Sequence, residues 1–173
     1  MWNQAGKAGL VLAAVSIADM IYAQLITSGN LNEEPSTAVT TISFVVQTVK
    51  IVGCILLMKF FMLKFYNSAE VNKNEAFKMG MATALLSAFV YSAIYFINLR
   101  YISTDYCIEL QNALIAKAKL DIAGEEFARL SEMVQTYFHQ LTFFSNLIYC
   151  FIYGTVLSAL ISRSLPNKNP FSL

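Results

Sequence analysis

The chain has 173 residues, the length of a single domain, and 57% of them are hydrophobic while only 13% are charged. With a positive mean hydropathy, that balance excludes an ordinary water-soluble domain. A formal net charge of +1 leaves no basic stripe to neutralise phosphates and release counterions, which excludes nucleic acid as a partner.

Crossing roughly 30 Å of hydrocarbon takes about 20 residues of helix at 1.5 Å rise, and the chain holds four apolar windows near that length. The first, about residues 8–26, is interrupted by Asp19 and Gln24. Lys7 precedes it and Ile21-Tyr22-Ala23 loosely resembles a cleavage site, but the apolar stretch is long for a signal peptide. An acid near its middle would be odd in a discarded segment, so a retained span is expected. The second window, about 38–63, carries Gln47, Lys50 and Lys59; the third, about 79–99, contains no charge. The fourth, about 141–162, has only Asn146 as a strongly polar member.

Between the third and fourth windows lies a charged insert, about 104–140. Phe127, Leu130, Val134, Tyr137 and Leu141 fall on one helical face, with Glu125, Glu126, Arg129 and Glu132 opposite or flanking. This pattern predicts a helix that runs into the fourth span. A preceding helix, about 105–119, is separated from it by a break at 121–124, where Gly124 disfavours helix. Lipid gives backbone amides no water partner, and continuous apolar runs do not suit a barrel. The expected fold is therefore all-α: an integral membrane four-helix bundle, one membrane domain over 1–173, with an extracytoplasmic helical hairpin between the third and fourth spans.

Orientation follows from basic residues at span ends. Lys59, Lys64, Lys73 and Lys78 cluster around the second connector, and Arg163 and Lys168 follow the fourth span. The connector 27–37 has no Lys or Arg and carries Glu33 and Glu34, and the insert is net acidic. Both termini are expected in the cytoplasm.

Asp19 is the sharpest chemical feature, because an ionisable group at that depth costs roughly 2.5–3.5 kcal/mol on insertion scales unless paired, neutralised or hydrated. Lys50 is the expected partner. If the first two spans are antiparallel neighbours, the two differ in depth by about 6 Å at 1.5 Å per residue, within reach of a lysine stem. Thr40, Ser43, Gln47, Lys50 and Cys54 repeat at steps of three and four, as do Ser16, Asp19 and Ala23, so Ser16, Gln47 and Cys54 form a polar face around the pair. One reading is a proton or ion relay, or a polar headgroup site; the other is a packed ion pair that fixes helix register.

Two small-residue stripes predict close helix contacts: Cys150, Gly154, Ser158 and Ser162 on the fourth span, and Gly80, Ala84 and Ala88 on the third. Ser87, Tyr91, Tyr95 and Asn98 make a polar stripe on the third span, and Thr142, Asn146, Tyr149 and Tyr153 another on the fourth. Hydrogen-bonded aromatic packing or a wet outer cavity would account for them. His139 is the only histidine, and Cys54, Cys107 and Cys150 are far apart. No metal cage, no nucleophile–base pair and no nucleotide or hydrolase motif can be assembled. No catalytic residue, metal site or cofactor is expected.

The stretch Phe77-Lys78-Met79-Gly80 opening a span, residues 95–102, the acidic helical insert, and Gly154-Thr155-Val156-Leu157-Ser158-Ala159-Leu160-Ile161 followed by Arg163 and Asn169-Pro170-Phe171 together resemble a bacterial family of uncharacterised four-span membrane proteins, catalogued as a domain of unknown function. Where that family often has Asn-Pro-Asp after the third span, Ile102-Ser103-Thr104-Asp105 stands here. The resemblance implies an architecture over essentially the whole chain, a bacterial inner membrane location, and no activity. The expected function is thus a non-enzymatic scaffold or regulator in the lipid bilayer, acting on a membrane protein partner or as a homo-oligomer. The alternative is a small transporter or ion- or proton-conducting protein using Asp19 and Lys50.

Overall fold

The structure, a computed structural model, describes residues 1–27, 37–68, 71–122 and 124–166. Glu33, Glu34, Lys168 and the Asn169-Pro170-Phe171 segment lie outside the described residues. Among the described residues five α-helices follow in order: α1 (Trp2–Thr27), α2 (Thr37–Ser68), α3 (Lys73–Ile97), α4 (Thr104–Asp121) and α5 (Glu125–Ser164), with one π-helical turn, Asn98–Ile102, at the end of α3. No strand occurs among the described residues. Among the described residues four helices are long and apolar enough to cross a membrane: α1, α2, α3 with its π turn, and α5. The protein is all-α and has the make-up of a multi-pass helical membrane bundle.

Helix limits extend past the apolar windows because polar residues sustain a helix as well as apolar ones once the backbone is hydrogen-bonded. The start of α3 shows the local cause. Asn72 Oδ1 accepts from the Glu75 backbone amide at 2.8 Å, and the Asn72 amide donates to Glu75 Oε2 at 3.1 Å. This capping box satisfies two of the orphan donors of the first turn and sets the start of α3 at Lys73, ahead of the window at 79.

Close backbone approaches fix how the spans pack. Gly9 of α1 lies against Thr83, Leu86 and Ser87 of α3, and Asn98 Nδ2 donates to Gln24 Oε1 at 2.8 Å, so α1 and α3 run parallel. On the other side of α3, α5 runs antiparallel: Gly80 meets Ser158, Gly154 meets Ala84, and the Phe96 ring meets His139 edge to face. The two small-residue stripes thus pack against each other within one chain. A Cβ on Gly154 would stand 2.5 Å from Ala84 Cβ, and one on Gly80 would stand 2.7 Å from Ser158 Oγ. No larger side chain fits either place without moving a helix.

α2 is the loosely held span. It touches α1 through Lys50 and Asp19 and is anchored at the terminal end of the bundle, where α1 begins and α5 ends, by Met62 beside Gly80 and by the Tyr66 hydroxyl, which donates to the Pro166 carbonyl at 2.9 Å. Phe44, Val45, Val49 and Val52 in its other half are exposed and face lipid in a bilayer.

Two cores result. At the terminal end of the bundle, Leu12, Met58, Met62, Phe65, Tyr66, Met79, Ala84, Ile161 and Leu165 form one apolar cluster. At the hairpin end, Leu99, Cys107 and Phe138 form a second, with Tyr95, Tyr106, Leu110 and Val134 packed around it, and this cluster holds α4 against α5.

Candidate functional site

Between the two cores the bundle is open. A cleft of about 320 Å³ is lined by α1, α2, α3 and α5, at the lower end of the roughly 300–1,000 Å³ typical of small-molecule sites. Four helices leave this gap because the Gly80–Ser158 and Gly154–Ala84 approaches bring α3 and α5 together, while α2 is anchored at the terminal end.

The polar residues of all four spans converge here. Ser16 comes from α1; Gln47, Lys50 and Cys54 from α2; Ser87 and Tyr91 from α3; Asn146, Tyr149, Cys150 and Tyr153 from α5. The charged pair and the aromatic polar stripes, which in the sequence belong to separate helix pairs, are joined by the fold in one cavity. Thr40 and Ser43 of α2, and Tyr95 and Asn98 of α3, do not line it. Tyr95 instead joins the hairpin-end core, and Asn98 ties the π turn to Gln24.

Lys50 Nζ lies 2.6 Å from Asp19 Oδ2, with the side chains 28% and 15% exposed. This is a short charge-assisted hydrogen bond. Only Lys50 lines the cleft; Asp19 stands behind it on α1. The cavity therefore presents an ammonium with two further donor directions and places the carboxylate where it compensates the charge. Cys54 lies four residues along α2, one turn towards the terminal end. Ser16 is committed to its own helix, donating to the Leu12 carbonyl at 3.2 Å.

The mouth of the cleft lies between α2 and α5. Gln47, Ile51, Tyr149 and Tyr153 line it and are exposed, and the two tyrosine rings stack, 6.5 Å between centroids and 10° between planes. All four residues fall inside the apolar stretches of their helices, so the mouth faces the bilayer. Towards the terminal end, Leu12, Met58, Ala84 and Leu157 line the cleft and belong to or pack against the apolar core, which closes it there.

A second polar contact lies outside the cleft, on the hairpin. Cys107 Sγ is 3.5 Å from His139 Nε2, with Cys107 buried. Burial pushes the Cys107 thiol above its ordinary range. The Tyr106 phenol is raised in the same way by burial and further by the neighbouring Glu109 carboxylate. A charged thiolate or phenolate in this small apolar core would lack water. This contact corrects the expectation that no nucleophile–base pair can be assembled: Cys107 and His139 are 32 positions apart, and no sequence spacing signals their meeting. Among the described residues no group of three or more His, Cys, Asp or Glu side chains stands close enough to hold a metal ion.

A family model described as a protein of unknown function, DUF4199, matches residues 7–163. No curated protein and no solved structure matches the chain.

Proposed function

The chain belongs to the DUF4199 family, whose function is unknown, and we propose from its cleft that it is a non-enzymatic binding module that regulates a membrane partner. In this reading the cleft takes an amphipathic ligand from the bilayer: the polar part meets Lys50, Gln47 and Asn146, and the apolar part lies along Ile51 and Tyr149 at the mouth. The protein sits in a bacterial inner membrane with both termini cytoplasmic and the hairpin outside, as the Lys and Arg distribution favours. Bound ligand would wedge α2 and α5, changing the lipid-facing surface that a membrane protein partner or a second copy meets.

The observation that carries this proposal is the convergence of polar side chains from all four spans on one cavity whose mouth faces lipid. Catalysis is disfavoured because, among the described residues, the carboxylate beside the cavity is held by Lys50 and no imidazole lines the cleft. The Asp19–Lys50 pair favours a second reading, conduction of protons or ions. Against it stands the apolar layer of Leu12, Met58 and Leu157, which interrupts any polar path towards the terminal end.

Gentle purification followed by identification of co-purifying small molecules tests the binding reading. The wild type is expected to carry an amphipathic molecule that Cys150→Phe, which fills the cleft, loses while remaining folded. Retention of the same molecule by the filled variant would sink the proposal. Proton flux in proteoliposomes that vanishes in Asp19→Asn would replace it with the conducting reading.

A further inference from the structure

A groove at the terminal end of the bundle, separate from the cleft, lies between the start of α3 and the end of α5. Its volume is about 330 Å³, and it is lined by Lys73, Asn74, Phe77, Ala159, Ser162 and Arg163. We propose that this groove is a specific binding site for the phosphate headgroup of an anionic phospholipid.

Two cations line one groove, and no carboxylate stands among its described lining residues. The only ion pair among the described residues is that of Asp19 and Lys50, and Glu75, the nearest acid along α3, is held in the capping box with Asn72. The first amides of α3 are partly occupied by the same capping box, so the attraction for an anion comes from the two side chains rather than from the helix end.

Height in the bilayer is the second argument. Lys73 lies seven residues, and Arg163 five, from the fully buried contact between Gly80 and Ser158. At 1.5 Å per residue both cations stand roughly 8–10 Å outside that contact on the same end of the bundle, the level at which apolar helix gives way to headgroups. Arg163 can hold a phosphate through two parallel N–H donors, whereas Lys73 acts as a point charge.

The rest of the lining fits a lipid better than a free anion. Phe77 and Ala159 are half-buried and form an apolar wall below the cations, where the glycerol and first acyl carbons of a bound lipid would lie. Asn74 supplies an exposed amide at the rim. The Ser162 hydroxyl donates to the Ala159 carbonyl at 3.0 Å, so its proton is already used and the donor role falls to the cations. Basic pockets between membrane helices bind anionic headgroups.

The full-length protein, reconstituted in nanodiscs with equal parts phosphatidylcholine and phosphatidylglycerol, is released into native mass spectrometry and the retained lipids are counted. Wild type is expected to retain phosphatidylglycerol preferentially, and Lys73→Gln/Arg163→Gln to lose that preference by about thirtyfold, the product of about fivefold from each cation. Lys59→Gln/Lys64→Gln removes the same charge from α2, towards the same end of the bundle, and is expected to keep the preference; an equal loss there would reduce the effect to general attraction and overturn the site. The exchanged pair Lys73→Arg/Arg163→Lys keeps both charges and guards against misfolding, since it should retain the lipid. Displacement of phosphatidylglycerol by millimolar inorganic phosphate would overturn the lipid assignment in favour of a free anion.

Discussion

Removing Lys50 alone should be worse than removing both members of its pair. At 2.6 Å and an effective dielectric of about 20, the charges attract by about 6 kcal/mol, but desolvating both ions offsets most of it, so the intact pair has a small net worth. The asymmetry is larger. Lys50→Met leaves a carboxylate that is 15% exposed without its counter-charge, at a cost of roughly 2.5–3.5 kcal/mol on insertion scales. Asp19→Asn/Lys50→Met leaves no charge, and the lost polar contact is worth about 0.6 kcal/mol on average and about 1.7 at most in membrane helices. The double variant should therefore recover about 1–3 kcal/mol relative to Lys50→Met. Reversible unfolding in bicelles, followed by steric trapping, measures the four corners of this cycle. If Lys50→Met is within about 0.5 kcal/mol of wild type, or if the double variant is no better than the single, the charges are hydrated and the pair is not the compensated group described above.

Gly154→Val drives a side chain into Ala84, where a Cβ already meets Ala84 Cβ at 2.5 Å; it should cost about 3 kcal/mol, the upper part of the range for overpacking, in the same unfolding assay. Adding Ala84→Gly should restore part of that loss, and no restoration would place the clash elsewhere. Gly124 has φ 72° and ψ −143° with nothing within 4 Å of a Cβ there, so Gly124→Ala adds backbone strain alone, about 1–3 kcal/mol. Hydrogen exchange should rise in α4 and the first turns of α5 and stay unchanged at the Gly80–Ser158 contact. Because burial holds the Cys107 thiol above its ordinary value of 9.0, the reactive thiolate is scarce below that pH. Peptide-resolved alkylation of Cys107 should still be climbing above pH 9.0; a plateau below it would contradict the buried placement.

The number of membrane helices, the hairpin and the small-residue stripes are readable from sequence because each rests on a local period or on one long apolar window. Gly80, Ala84, Gly154 and Ser158 announce their packing by spacing alone. Asp19 and Lys50 stand out because charge at that depth demands an explanation. The union of the Lys50 face with Tyr91, Asn146, Tyr149 and Tyr153 is a different matter. It depends on which helices become neighbours and on how far α2 stands from α5, and neither is a property of any one segment. The Lys73–Arg163 groove shows the same limit: the two residues look like ordinary span-end cations until α3 and α5 are laid side by side. The π turn at 98–102 is hidden because Asn98-Leu99-Arg100-Tyr101-Ile102 contains neither Gly nor Pro to mark it.

The length of α5 has a mechanical consequence. Forty residues make a rod of about 60 Å, roughly twice the hydrocarbon thickness, and it contains no proline and no glycine before Gly154. The segment that clasps α4 through Val134 and Phe138 and the segment that carries Asn146, Tyr149 and Tyr153 into the cleft are thus one stiff lever without a joint. Any torque applied to the hairpin swings the tyrosine wall of the cavity, and anything that spreads the cavity tilts the hairpin in return.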